Sequence, residues 1–252
     1  MIALDHWQWT LALVGALCIG LSKGGVAGLG ILVAAIFAEH VLPAKAASGF
    51  VLPMLVIGDL AGIGMYRRHA QWTLLWRLFP WTVLGVLAGY LALDRIDNHQ
   101  ARFLVGVLVV ALVAGHFAWR WWMQRPGYDD ASGRAPVWLA PVAGVLAGFA
   151  TLVANAAGPV MIIYLLAMRL PKLEFLGTSA WFFLLLNLFK IPFMAHLGLV
   201  NSTSLLGNAV LLPAVILGAL AGRWLAARFN QRAFETIALL LTVAAGVDLL
   251  CG

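Results

Sequence analysis

Charge is scarce in this chain. Only 10% of its residues are Asp, Glu, Lys or Arg, against about 25% in soluble globular proteins, while 63% are hydrophobic. That balance excludes an ordinary water-soluble domain. Cysteine is nearly absent: Cys18 and Cys251 both lie in apolar stretches, which rules out a disulfide framework and supplies no metal set. Long polar stretches are missing too. The longest, about 120–134, is too short to fold alone. The opening residues, Met1-Ile-Ala-Leu-Asp-His-Trp, have neither a basic region nor a small-residue cleavage pattern, so no cleavable signal peptide is expected.

What is present is apolar sequence of membrane-spanning length, repeated from end to end. Eight segments can be drawn, at about 8–38, 48–66, 73–93, 101–122, 137–168, 175–195, 205–226 and 234–251. The expectation is an all-α polytopic membrane protein with one transmembrane domain over 1–252. The net charge of +6 does not point to nucleic acid, because the basic residues sit in short loops between apolar runs. Tryptophans near segment ends, Trp72, Trp76 and Trp81 among them, suit the aromatic belts of a bilayer interface.

Segments one and five are the long ones, at about 31 and 32 residues. As straight helices they would reach roughly 46–48 Å, against a hydrocarbon core of about 30 Å. Both carry breakers in the middle: Lys23-Gly24-Gly25 in the first, Asn155-Ala-Ala-Gly158-Pro159 in the fifth. The parallel extends to an internal repeat. Leu84-Gly-Val-Leu-Ala-Gly89 in segment three matches Leu217-Gly-Ala-Leu-Ala-Gly222 in segment seven, and Arg95 then falls opposite Arg228. Asp59 in segment two corresponds to Asn187 in segment six. Two four-segment units are expected, about 8–125 and 136–251, as in many transporter folds.

Loop charge tests the topology. If all eight segments cross, Lys and Arg are almost evenly divided between the two sides. If segment five enters and leaves on one side, only Lys45, Arg95 and Arg102 remain on the poor side, and eleven basic residues gather opposite them. The positive-inside rule favours the second arrangement, with segment five a re-entrant hairpin. Segment one is then re-entrant by analogy, and the two repeats are inverted. The rival is eight plain crossings with segments one and five tilted or kinked.

Few residues could carry chemistry. Lys23 is a cation in a stretch that reads as membrane-buried, where an ammonium costs ~2.5–3.5 kcal/mol at a helix centre. Ser22, Gly24 and Gly25 flank it, and a half-helix starting near Val26 would offer unpaired amides to a small anion. The alternative is a lysine snorkelling at a membrane edge. The order Ser22-Lys23-Gly24 is not that of a nucleotide-binding phosphate loop. In the fifth segment Asn155 can donate and accept, beside Gly158 and Pro159, with Thr151 one turn earlier. Asn155 as polar glue between helices is the competing reading. Lys190 and Asn187 share a face of segment six, as a second substrate-facing cation and its neighbour, or with Lys190 paired to Asp59. Asp59 is the best internal carboxylate, either coupling transport to protons or neutralising a lysine. Ser48, Thr178 and Ser179 can line the path or bond their own helices. Gly85/Gly89, Gly144/Gly148 and Gly218/Gly222 are spaced for close helix packing.

With Gly20-x-x-Lys23-Gly24 and its following glycines, the Gly158-Pro159 pair and the duplicated four-segment layout, the whole chain resembles the TauE/SafE sulfite exporter family of membrane permeases. The resemblance implies a bacterial inner-membrane carrier of small anions, with sulfite, thiosulfate and sulfonates as the substrate class. It implies no cofactor and no catalysis. The partners expected are a small anionic substrate and the lipid bilayer, with no nucleic acid; a homodimer stays open. Two other readings stand beside the carrier. One is an anion channel. The other is an intramembrane enzyme acting on a lipid phosphate, against which no internal segment has two carboxylates one turn apart.

Overall fold

The computed structural model describes residues 5–30, 33, 37, 41–42, 44–92, 98–123 and 136–251. Arg95, Arg125 and Arg134 of the loop-charge argument lie outside them. Among the described residues the chain is all α, with nine α-helices. They are α1 (His6–Gly24), α2 (Ala44–Tyr66), α3 (Trp72–Ala92), α4 (Asn98–Met123), α5 (Leu139–Ala154), α6 (Ala157–Ala167), α7 (Lys172–His196), α8 (Ser202–Arg228) and α9 (Gln231–Cys251). A 3-10 turn, Arg67–His69, follows α2. Among the described residues four stretches are long and apolar enough to cross a membrane: Ala46–His69, Trp72–Ala92, Lys172–His196 and Leu205–Arg228. Four helices carry an interior proline, Pro53, Pro80, Pro192 and Pro213, a residue that membrane helices tolerate better than soluble ones.

The first long segment stops being a helix where its glycines begin. Asp5 caps α1 through a reciprocal box: it accepts from Gln8 N–H at 2.7 Å, and its own N–H donates to Gln8 Oε1 at 3.0 Å. At the other end Gly25 has φ 147°, a conformation glycine adopts without a Cβ penalty. The N–H groups of Gly25 and Val26 both donate to Leu21 O, at 3.2 and 3.0 Å, which closes the last turn. Residues 26–29 form turns rather than the start of a half-helix, and helical geometry returns at Gly30. A Cβ on Gly30 would lie 3.6 Å from Ser22 Oγ, and the Phe37 ring rests on Gly15. The pairs 22/30 and 15/37 share one midpoint, so Gly30 and Phe37 lie beside α1 in antiparallel order. The apolar filling there, Ala12, Ala16, Ile19, Val33 and Phe37, is buried with Phe50, Met54, Leu211 and Val215.

The fifth segment breaks at Asn155, which is left-handed at φ 54°. Asparagine is one of the few residues other than glycine that accepts this geometry. Its N–H donates to Thr151 O, and that of Ala156 to Ala150 O, both at 3.1 Å. Helix α6 restarts two residues on. Pro159 is therefore in the first turn of α6, where its missing N–H would have had no helical partner, and not at the break itself. The 11 residues of α6 reach about 16 Å, roughly half a hydrocarbon core.

The chain forms two compact units. One comprises residues 1–76 and 171–238, the other 77–170 and 239–252. In the first unit α1 and α8 touch backbone to backbone through Gly20 and Gly24 on one side and Gly218 and Gly222 on the other. Lys172 pins the start of α7 by donating from Nζ to Ala226 O and Phe229 O, both at 2.6 Å, at the end of α8. Thr178 is occupied structurally: its Oγ1 accepts Gln71 N–H at 2.9 Å. In the second unit α3 and α5 touch in the same close fashion, Gly85 against Val145 O and Gly148 against Thr82 O.

Candidate functional site

The site is built where α1 ends. Lys23 is in the last turn of α1, so the partial negative charge of that helix end favours its ammonium. Helix α2 crosses beside it. Gly58 and Gly62, one turn apart on α2, leave room for the lysine: a Cβ on Gly58 would come within 3.0 Å of Lys23 Cγ, and one on Gly62 within 3.1 Å of its carbonyl. Between these glycines Asp59 is fully buried. Its Oδ1 lies 2.7 Å from Lys23 Nζ. Tyr66, two turns further along α2, donates from its hydroxyl to Gly24 O at 2.7 Å and satisfies one of the open carbonyls of α1.

Helix α7 closes the site with one stripe of residues, spaced as one helix face requires. Ala180 packs on the Gly62 position, with 3.3 Å to a Cβ there. The Phe183 ring lies under Lys23, with Nζ 4.0 Å from its centroid, within cation–π range. Asn187 donates from Nδ2 to Asp59 Oδ2 at 2.7 Å. Lys190, one turn on, is wholly buried, and the charge of Lys23 acts on it. Lys23 and Asp59 thus pair inside an apolar bundle, with Lys190 one turn beyond Asn187. Lys23 is the accessible member, with 13% of its side chain exposed against none of Asp59.

The first unit therefore assembles Lys23, Asp59 and Asn187 directly, brings Lys190 alongside, and sets Ser22, Gly24 and Gly25 at the turn. The cation bonded to Asp59 is Lys23, a pairing that sequence spacing does not reveal. Sequence reading also misses Gly58, Gly62, Tyr66 and Phe183. The Gly58-x-x-x-Gly62 spacing around Asp59 was the one signal available for them.

Asn155, Gly158 and Pro159 belong to the second unit. Asn155 there ends a helix, a task its backbone alone explains. A Cβ on Gly158 would meet no atom of the described residues within 4 Å. Tyr164, on the same helix, has a buried hydroxyl with no hydrogen-bond partner among the described residues.

A scan against protein families matches residues 11–249 to the family described as Sulfite exporter TauE/SafE. Neither a curated protein nor a solved structure gives a significant match. The match spans nearly the whole chain, and the chain belongs to that family. It is therefore a multi-pass membrane protein of an anion-exporter type, and a transporter rather than an enzyme.

Proposed function

We propose that this member of the sulfite exporter family is a secondary permease whose substrates are sulfite, thiosulfate or organosulfonates. It works by alternating access in a bacterial inner membrane. The observation that carries the reading is the buried group of Lys23, Asp59, Asn187 and Lys190. Intramembrane ionisable residues are expensive and mark substrate or ion pathways. The Lys23 ammonium, the partly exposed cation of this group, suits an anion. Lys23 is the primary anion contact, with Ser22, Gly24, Gly25, Asn187 and Lys190 around it. Asn155, Gly158 and Pro159 supply the contribution of the second broken segment. Asp59 is the coupling group.

The framework for this cycle is a pair of inverted four-segment repeats, about 8–125 and 136–251, within one domain. Segments one and five are its re-entrant elements. The antiparallel order of Gly30 and Phe37 beside α1 and the half-length α6 support that arrangement. So does the charge distribution among the loops.

The test is transport by the purified protein in liposomes. Sulfite, thiosulfate or a sulfonate should enter protein-containing vesicles faster than empty ones, and Lys23→Gln should abolish the uptake while the protein still expresses. No uptake of any of the three above empty vesicles removes the permease reading. Wild-type rates in Lys23→Gln remove Lys23 from the site.

A further inference from the structure

We infer that Asp59 is a built-in counter-ion competing with the transported anion for the Lys23 ammonium, so that the anion and a proton bind together. The inference rests on the permease reading and adds to it the coupling ion and the way coupling arises.

The ammonium that should greet an anion holds Asp59 Oδ1 at 2.7 Å. The groups around this carboxylate are known. Lys23 faces it from α1, Asn187 from α7 with Lys190 a turn beyond, and Tyr66 lies on its own helix, with Arg223 of α8 acting on that tyrosine. Among the described residues, Lys23 alone both touches the carboxylate as a cation and keeps some exposure. An incoming anion would therefore put two negative groups on one lysine, in an apolar bundle that screens them poorly. A proton on Asp59 removes that conflict.

The bookkeeping then closes. A proton from water on the loading side forms an O–H bond on the Asp59 carboxylate. Lys23 keeps its own protons and turns its ammonium to the anion. The cluster gains one positive and one negative charge, so its net charge is unchanged for a monoanion. On the far side the anion leaves, the O–H bond breaks and the Lys23–Asp59 pair re-forms.

Two neighbours suit both states. Asn187 donates to the carboxylate now, and rotation of its amide offers an acceptor oxygen to a carboxylic O–H. Lysine or arginine at that position could not accept. The Phe183 ring holds the ammonium by cation–π attraction whether or not Asp59 is charged. By reciprocity, the anion strengthens proton binding by the factor with which the proton strengthens anion binding.

The experiment uses the full chain in liposomes, with methanesulfonate, sulfite and thiosulfate as probes. Methanesulfonate keeps its charge across the working pH range, so any pH response is the protein's own. Anion exchange at equal pH is measured first, then net uptake under an acid-outside gradient with a pH dye inside. The wild type should exchange the anion, take it up faster from the acid side, and carry in one proton per methanesulfonate. Asp59→Asn should still exchange, at an altered rate, with the proton-to-anion ratio fallen from one to zero and no response to the gradient. Asp59→Glu should keep the coupling.

Should Asp59→Asn fail to fold, proton uptake by the detergent-purified wild type on adding methanesulfonate reads the same linkage. Wild-type exchange that ignores the gradient and moves no proton overturns this inference and leaves the permease reading intact. Gradient-driven uptake that persists in Asp59→Asn also overturns it. No exchange of methanesulfonate, sulfite or thiosulfate by the wild type removes the permease reading, and this inference with it.

Discussion

The contact of α1 with α8 in the first unit and that of α5 with α3 in the second repeat one another residue for residue. A Cβ on Gly20 would strike Val215 O, Ala219 N and Gly218 Cα; a Cβ on Gly148 would strike Thr82 O, Val86 N and the Gly85 carbonyl carbon. Gly218 is stopped by Leu17 O, and Gly85 by Val145 O. Gly222 abuts Leu21 O and Gly24, while Gly89 abuts Phe149 O and Leu152. One displacement carries the α1 residues onto α5, and a second carries the α8 residues onto α3. In that register Lys23 falls on Thr151 and Gly24 on Leu152. Asp59 falls on Asn187 under the same displacement as the α1 residues.

The lesson lies in where the copies part. Both keep the backbone contact, which closely packed membrane helices need because lipid gives helices no hydrophobic reason to associate. At these positions charge stands on one side only: Lys23 and Asp59 correspond to Thr151 and Asn187. The second unit makes the same contact with threonine and leucine where the first has Lys23 and Gly24. The fold therefore does not require Lys23 there, and neither, on this comparison, does it require Asp59. An intramembrane ion pair the architecture can do without is best explained by function.

The largest expected effect tests that separation. Removing one member of a buried pair leaves the other uncompensated and costs about 3–5 kcal/mol. Asp59→Leu should lower the melting temperature sharply in detergent. Lys23→Met with Asp59→Leu should recover most of the loss, because the fold then resembles its neutral copy, while anion uptake stays absent. A double variant as unstable as the single one would mean that the pair serves the architecture after all.

The next effect belongs to the second unit. Leu152 is fully buried and stands where the first copy has Gly24. Leu152→Ala should cost about 2–5 kcal/mol by opening a cavity. The shared glycines follow. Gly20→Ala and Gly148→Ala each push a methyl into a facing backbone, and overpacking of this kind costs about 1–3 kcal/mol. Because their surroundings match, the two variants should lose similar stability. A large inequality between them in parallel thermal melts would break the equivalence.

Much of this architecture was legible in the sequence, for a physical reason. Breaks in membrane helices need residues that tolerate unusual backbone, and Gly25 and Asn155 announce themselves by type. Repeated glycine spacing marks close contacts wherever it occurs. Partners are harder to read. Gly218 and Gly222 could be seen to need a close neighbour, but that the neighbour is α1 depends on contacts between distant stretches of chain. The Lys23–Asp59 pair was hidden for the same reason: it joins two helices at positions 36 residues apart in the chain, whereas Asn187 and Lys190 share one helix and could be grouped by spacing alone. Asn155 carries two signals at once: the left-handed backbone at the break favours asparagine, and its amide is the polar group proposed for the anion.

The smallest effect makes the sharpest use of the comparison, because it stays on one helix. Gly58 and Gly64 both lie in α2. A methyl on Gly64 would meet nothing within 4 Å, whereas one on Gly58 would reach 3.0 Å from Lys23 Cγ and 3.4 Å from Ile19 Cγ2. Gly64→Ala removes a flexible residue from a helix interior and should stabilise by about 0.5–1 kcal/mol. Gly58→Ala gains the same backbone term but crowds the lysine stem, so its melting temperature should fall short of that of Gly64→Ala. Its uptake rate should drop as well, because the stem must turn the ammonium between Asp59 and the anion. Equal melting temperatures and equal uptake in the two variants would show that the lysine does not need the space Gly58 provides, and that its position at Asp59 is fixed throughout the cycle.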